Sequence, residues 1–473
     1  MKTRRLTKKE MWIFAIGQLG WSILGGLINA WLVTFYLPTS TDVASGAPFY
    51  LPTGLIIFGV LTILGLISFI CRIFDAVTDP LIASLSDRSK NPNGRRIPFM
   101  RKAAIPFAVI AVLVFCAPVE AISTINIVWV LGFLILFYLF MTMYCTPYNA
   151  LISEFGKTQE DRMYISTAIS LTFFFGTLLS YVPFVLAPML RSTIGASFPW
   201  SYRICFIVLA ALALVCMLIP TFKLKEKEFV DAVPSETNTF KSLSKTFKNK
   251  EFLKFSASDI AYFVALTLFQ TGLPFFVKVS MKLDESWAMY FLGGMTVLSA
   301  CFYPIVSKLV KKFGKKKLVI TGFLGLALAY VVTALIGVIP GLTGMLPGIL
   351  IVVICAFPMA LLGIIPQAIV ADVAEEDAIV TGEKREGMFF AARTFAMKLG
   401  QSVAALVFTS LAILGTAQDL KSNDLTASEF GLRIVAIVAV VFCTLGALIL
   451  AFYKEKKVMK VIEDAHAKEN LPE

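Results

Sequence analysis

Arg72, Asp75 and Asp79 are charged residues within an otherwise apolar run. They stand in Arg72-Ile73-Phe74-Asp75-Ala76-Val77-Thr78-Asp79-Pro80, directly after the apolar stretch from Gly54 to Cys71. An aspartate at the centre of a transmembrane helix costs about 2.5–3.5 kcal/mol on insertion scales, so such residues mark a use. At about 100° per residue the three positions fall within roughly 60° of one another on a helix. They therefore point the same way, into protein or a water-filled cavity, and read as an ion or solute pathway. Two carboxylates one turn apart suit a monovalent cation, because their oxygens replace its water ligands and their charge offsets its dehydration. They equally suit a proton, which two close carboxylates in low dielectric hold readily.

The elements that must position these groups are membrane helices. The chain of 473 residues is 58% hydrophobic and 16% charged, with mean hydropathy +0.80. A soluble domain is usually about 45–50% apolar. Continuous apolar runs recur along the whole chain, each long enough to span a bilayer, and their lack of alternation excludes a barrel. The net charge of +12 does not indicate nucleic acid. Most Lys and Arg lie in the tails and in every second loop, which is the positive-inside pattern. The first apolar run, Met11 to Leu37, follows a basic start and lacks a small-residue cleavage site, so it reads as a retained span.

Twelve spans are expected, near 11–37, 54–82, 103–120, 125–150, 165–190, 201–222, 253–278, 287–308, 318–340, 345–370, 386–415 and 431–453. The fold class is an all-α membrane protein with twelve transmembrane helices in two pseudo-symmetric six-helix bundles. The bundles are residues 1–222 and 253–473, joined by a polar cytoplasmic linker at 223–252. An even span number puts both termini in the cytoplasm of a plasma membrane, here a bacterial inner membrane. The eight cysteines lack Cys-x-x-Cys spacing and read as buried thiols rather than metal ligands. The single histidine, His466, lies in the charged tail, so no histidine proton relay crosses the membrane. A Gly-x-x-x-x-Gly-Lys-Ser/Thr nucleotide loop is lacking, which argues against a primary pump.

Two loops echo one another. Asp87-Arg88, a five-residue insert, then Gly94-Arg95-Arg96 follow span two; Lys311-Lys312-Phe313-Gly314-Lys315-Lys316 follow span eight. Transporters often have such duplicated halves. The first loop resembles the signature of the major facilitator superfamily. Arg72-x-x-Asp75-Ala76-x-x-Asp79-Pro80 with Gly94-Arg95-Arg96-x-Pro98-Phe99 is similar to the glycoside–pentoside–hexuronide:cation symporters of the melibiose-carrier type. Thr146-Pro147-Tyr148-Asn149-Ala150-Leu151 and the stretch from Ala371-Asp372-Val373 through Thr381 to Gly387, Phe395, Lys398 and Gly400 agree with that resemblance.

The resemblance implies a cation-coupled symporter of a small organic solute, a glycoside, hexuronide or sugar-like compound, working by alternating access as a monomer among membrane lipids. It requires no cofactor, and the coupling ion is H+ or Na+. A lysolipid carrier or lipid flippase of the same fold is the alternative. The cation ligands implied are Asp75, Asp79, Thr78 and Thr142, with Arg72 balancing the pair when the cation is absent. Lys398, deep in span eleven, is implied to face the same cavity. Tyr148, Asn149, Gln18 and Trp21 join the solute and coupling group. Asp259, early in span seven, reads as either a cavity or an interfacial residue. Asp87, Arg88, Arg95, Arg96, Asp372 and Glu375 read as a cytoplasmic gate, and Arg393 as a gate or a ligand. Gly17, Gly20, Gly25 and Gly26 on span one allow close approach of a helix or solute.

The chain departs from the melibiose pattern at the sugar-holding charges. In register with that pattern, the span-one acid falls on Trp21-Ser22, the span-four acid on Cys145 and the span-five arginine near Ser170. A galactoside is therefore disfavoured, and the coupling ion leans toward a proton.

Overall fold

The computed structural model describes residues 4–89, 91–92, 94–229, 245–382, 386–417 and 419–469. Among them, twelve long helices follow one another: α1 Lys8–Tyr36, α2 Ile63–Asp87, α3 Ile97–Leu113, α4 Thr124–Phe155, α5 Gln159–Leu179, α6 Phe198–Lys223, α7 Lys250–Phe275, α8 Trp287–Phe313, α9 Lys315–Ala334, α10 Met345–Thr381, α11 Glu386–Ala412 and α12 Glu429–Ala451. Ten helical segments are long and apolar enough to cross a membrane. The two outside that set are α2, which carries the charged cluster, and α3, which is 17 residues long. Helices are what a bilayer permits, because each backbone N–H and C=O is satisfied within its own segment.

Several boundaries moved for local reasons. Span two starts at Ile63, not at 54. Thr62 caps it, its hydroxyl accepting from the Gly65 N–H at 3.2 Å. The residues before it turn through Gly59 at φ +71° and a short bridge between Ile57 and Leu61. The shift places Arg72 and Asp75 near the middle of α2. Span five breaks after Leu179 and resumes as Pro183–Ile194, because Pro183 starts a new helix whose missing N–H would have gone unpaired. Span three begins earlier, with Pro98 in its first turn.

The chain forms two compact units. Unit 1 is Met1–Thr237 with Thr416–Ala427; unit 2 is Asn238–Gly415 with Ser428–Glu473. The segment at 416–427 was expected to be a plain loop. It instead pairs with unit 1: Thr53 N–H and Leu55 N–H donate to the carbonyls of Asn423 and Leu420 at 3.2 and 2.7 Å, and Thr39 bridges Ala427. Residues 230–244 of the expected linker lie outside the described residues.

The two units repeat one packing scheme. In unit 1 the main helix pairs are α1–α5, α1–α6, α2–α4, α3–α4 and α3–α6. In unit 2 they are α7–α11, α7–α12, α8–α10, α9–α10 and α9–α12. Each pair in one unit has its counterpart six helices later in the other.

Glycine sets the closest approaches. A Cβ on Gly20 would lie 2.5 Å from the Ala213 carbonyl of α6, and one on Gly400 would lie 2.8 Å from the Ile260 carbonyl of α7. Gly17 and Gly26 also sit against neighbours, Tyr144 and Ser180, whereas Gly25 faces open space. The eight cysteines are free thiols; Cys301 is exposed rather than buried.

Candidate functional site

The span-two acids meet α4 through one hydroxyl. Thr142 Oγ1 lies 2.9 Å from Asp75 Oδ1 and 3.2 Å from Asp79 Oδ1. The two carboxylate oxygens are thus at most about 6 Å apart, as their common donor requires. Asp75 is fully buried, Thr142 is buried and Asp79 is part-buried. Two carboxylates and a hydroxyl oxygen around one point offer hard oxygen ligands to a monovalent cation or a seat for a proton. Thr78 donates its hydroxyl hydrogen to the Asp75 backbone carbonyl at 3.0 Å, so it steadies the helix beside the seat. Pro80 follows Asp79 within the helix and removes a backbone N–H there.

Arg72 does not take the expected position against the carboxylates. Its Nη2 donates to Asn29 Oδ1 on α1, and its guanidinium lies 4.8 Å from the centroid of Tyr138 on α4. Gln18 is buried; its Nε2 donates to Ser22 Oγ at 3.2 Å, and Ser22 donates to the Gln18 carbonyl at 2.5 Å. Trp21 sits 6.3 Å, centroid to centroid, from Phe173 of α5, and its indole N–H is buried without an acceptor among the described residues. Tyr148 belongs to packing. It is fully buried, donates to the Phe14 carbonyl at 2.9 Å and stacks on Phe14 at 4.3 Å. Asn149 is exposed next to it.

The loop residues form a clamp at the end of unit 1. Arg95 Nη2 pairs with Glu154 Oε1 of α4, and Arg96 Nη2 reaches the same oxygen at 3.0 Å. Glu226, just beyond α6, accepts from the backbone N–H groups of Arg95, Arg96 and Ile97 at 2.9, 2.9 and 2.9 Å. These are orphan donors at the start of α3, and the carboxylate also suits the positive end of its dipole. Gly94, at φ +115°, leaves the room: a Cβ there would collide with the Glu226 carboxylate. Arg88 is exposed. The Asp87 side chain lies outside the described residues.

Unit 2 carries the same device. Lys315 Nζ pairs with Asp372 Oδ2 of α10 at 2.5 Å. Glu455, just beyond α12, accepts from the backbone N–H groups of Lys315 and Lys316 at 2.6 and 3.1 Å, beside Gly314 at φ +82°. Lys315 belongs to the echoed loop of the sequence, whereas Glu154, Glu226 and Glu455 were missed in it. A signal existed for the last two: Lys225-Glu226-Lys227 and Lys454-Glu455-Lys456 occur at the same point of each half.

Asp259 and Arg393, left open by the sequence, form one ion pair between α7 and α11. Arg393 Nε reaches Asp259 Oδ2 at 2.8 Å and Nη2 reaches Oδ1 at 3.3 Å. The aspartate is 1% exposed, so the pair is enclosed by protein. Lys398 is buried on α11, about one turn beyond Arg393. Glu375 is part-buried on α10, and Asp377 accepts from Asn249 at 3.1 Å. Residues 383–385 of the span-eleven motif and the His466 side chain lie outside the described residues.

A family model described as MFS/sugar transport protein matches residues 13–456. The uncharacterized symporter YjmB of Bacillus subtilis (strain 168) is 25% identical, over 98% of this chain and 96% of its own length. The putative sulfoquinovose importer of Escherichia coli (strain K12) is 23% identical, over 99% of this chain and 96% of its own length. The crystal structure of a D-xylose–proton symporter matches with a TM-score of 0.64 at 16% identity, covering 95% of this chain and 98% of that one. At that identity it shows a shared fold alone.

Proposed function

The chain belongs to the family of MFS/sugar transport proteins, and on that premise we propose that it is a cation-coupled symporter of a small sugar-like solute. The observation that carries the coupling is the hydroxyl of Thr142 shared by Asp75 and Asp79 in the middle of α2. Ionisable groups at that depth are expensive unless they serve transport. The names of two relatives, a symporter and a sulfoquinovose importer, support a sugar-class solute driven by an ion gradient. The coupling ion is H+ or Na+, bound by the two aspartates and Thr142. Lys398 contributes the charged group of unit 2. The two glutamate-capped clamps, Arg95–Glu154 and Lys315–Asp372, hold the cytoplasmic ends of the bundles, and the positive-inside distribution puts both termini in the cytoplasm.

The test is uptake into proteoliposomes with an imposed sodium or pH gradient. Accumulation of a sugar that collapses with the gradient, and that Asp75→Asn abolishes while the protein still inserts, supports the proposal. Normal accumulation by Asp75→Asn overturns the coupling role. Movement of lipid that ignores both gradients would instead establish the flippase reading.

A further inference from the structure

We propose that the turn at 56–60, just before α2, is a membrane anchor. Its apolar tip enters the lipid of the non-cytoplasmic leaflet and pins the start of the helix that carries Asp75 and Asp79. The proposal uses the topology given above but not the coupling reading. Phe58 is 93% exposed, Val60 62% and Ile56 41%. Beside them Leu55 is buried and Ile57 and Leu61 are part-buried. Phe58 also holds an unfavourable backbone. Its φ is +55°, and Gly59 follows at φ +71°. Two successive positive φ values, with the Val60 N–H donating to the Ile57 carbonyl at 3.1 Å, make a tight turn of the I′ kind. Such a turn favours Asn, Asp or Gly at its first central position, because a bulkier side chain crowds the backbone there. A phenylalanine at positive φ is an outlier. The chain accepts strain and displays the ring at the same residue, and in water both are costs. Acyl chains around the ring reverse the second, and that gain is of the same order as the strain.

Lipid is the partner that the surroundings fit. Val60 lies three residues before Ile63, where α2 begins, so the tip stands at the boundary of the bilayer that α2 crosses. No charged residue occurs between Asp42 and Arg72, so nothing in the turn opposes its leaving water. Phenylalanine lacks the polar handle that keeps Trp and Tyr at headgroup level, so its ring sits deeper. The turn pairs much of its own backbone. The Ile57 N–H donates to the Leu61 carbonyl at 3.0 Å, and those of Val60 and Leu61 donate to the Ile57 carbonyl at 3.1 and 3.0 Å. Lipid penalises unpaired backbone groups, so this pairing favours the approach. The loop's other contacts are polar: Thr53 and Leu55 dock on the segment 419–427, where Asp419, Lys421, Asn423 and Asp424 are exposed. The same division continues along α2. Ile70, Val77 and Leu81 are exposed on one side of that helix, roughly opposite Asp75 and Asp79 in projection. A protein partner is poorly served, since three side chains fall far short of the about 800 Å² per partner of a stable interface.

The experiment uses the purified full chain in phosphatidylcholine vesicles. Phe58→Trp puts a fluorophore at the tip, read as the difference from the wild type with its six tryptophans. Phosphatidylcholine brominated on its acyl chains quenches from within the bilayer, and iodide quenches from water. The added emission is expected to be blue-shifted, to lose most of its intensity to the brominated lipid and to resist iodide. Val60→Trp should behave alike, and Lys421→Trp, on the polar side, should show the reverse. Added emission at 58 and 60 that iodide quenches and brominated lipid does not would overturn the proposal in favour of a tip in water or in the solute pathway. Emission shielded from both quenchers would overturn it in favour of a protein contact. Thermal unfolding in lipid nanodiscs gives a second reading. Asn suits the turn better than Phe, so Phe58→Asn raises the midpoint of a tip that stands in water. A lowered midpoint is expected, because the lipid contact is lost; a raised one would overturn the anchor. None of these readouts requires transport, so their outcome is independent of the coupling reading.

Discussion

Removing the Glu226 carboxylate should destabilise the protein by an amount that its hydrogen bonds fix. Glu226 is 3% exposed and accepts from three backbone N–H groups at the start of α3. Glu226→Ala leaves those donors without an acceptor. Each orphaned buried donor costs about 1–3 kcal/mol, and loss of a negative charge at a helix N-terminus adds about 0.3–1 kcal/mol. Water entering beside the truncated side chain recovers part of this, so a net loss of roughly 3–5 kcal/mol is expected. For a bundle of this size that is a fall of roughly 6–20 °C in the unfolding midpoint. Glu226→Gln keeps a carbonyl acceptor and should lose about half as much. Glu455→Ala, which frees two donors rather than three, should lose less than Glu226→Ala. Gly94→Ala should act through the same contact, since its Cβ would displace the carboxylate. Its effect combined with Glu226→Ala must therefore be well short of additive. The assay is thermal unfolding of the purified protein in detergent at fixed pH and salt. A Glu226→Ala midpoint within about 1 °C of wild type, or additive effects of the two substitutions, would refute the cap as a source of stability.

Three further outcomes are expected. Thr142→Val preserves shape and removes the shared hydroxyl, so the cation concentration needed for half-maximal thermal stabilisation should rise about tenfold or more, as for loss of a bond to a charged partner; an unchanged titration argues against the seat. Arg393→Gln and Asp259→Asn should each destabilise by about 3–5 kcal/mol, because each leaves a buried charge without its partner, and the double variant should recover much of the loss in the same unfolding assay. Gly25→Ala should leave the midpoint unchanged or raise it slightly, by about 0.5–1 kcal/mol of helix propensity. Gly26→Ala, against Ser180, should lower it clearly; equal effects of the two would refute the close contact with Ser180 as the reason for Gly26.

The sequence makes the helices and the acids legible because both follow from the solvent. A bilayer forces long apolar runs and makes Asp75 and Asp79 conspicuous by their cost. The start of α2 was not legible, since the apolar residues 54–62 satisfy hydropathy as well as a helix does; Gly59 and the Thr62 cap decide it locally. Side-chain direction was also beyond the pattern. Arg72 shares a face with the aspartates in projection, but a long side chain reaches where its partners are, and Asn29 and Tyr138 come from helices far away in sequence. The partner of Tyr148 was equally beyond the motif: its hydroxyl serves the Phe14 backbone carbonyl. The caps at Glu226 and Glu455 were readable in principle from the repeated Lys-Glu-Lys, but exposed charged tails usually carry little structural information.

The duplication separates what is common to the two halves from what is not. The glycine, the basic pair, the pairing acid and the capping glutamate occur in both units, as do the five helix pairings. A proline also recurs: Pro80 precedes Arg88 by the same interval by which Pro304 precedes Lys312, and both prolines lie within helices. In that register Arg72, Asp75 and Asp79 correspond to Thr296, Ser299 and Tyr303 of α8, which are neutral. The clamp is symmetric and the charged seat is not. A device needed to shape each bundle whatever is carried gains from being present twice. A cation seat needs to exist once per transported ion, and a second pair of buried carboxylates would add a further cost of the same kind as the first. Introducing Ser299→Asp and Tyr303→Asp should therefore destabilise unit 2 without raising the number of ions moved per solute, as measured from the gradient dependence of accumulation. A gain in that number would mean that the two halves are interchangeable as cation seats, and the asymmetry argued from α2 would fail.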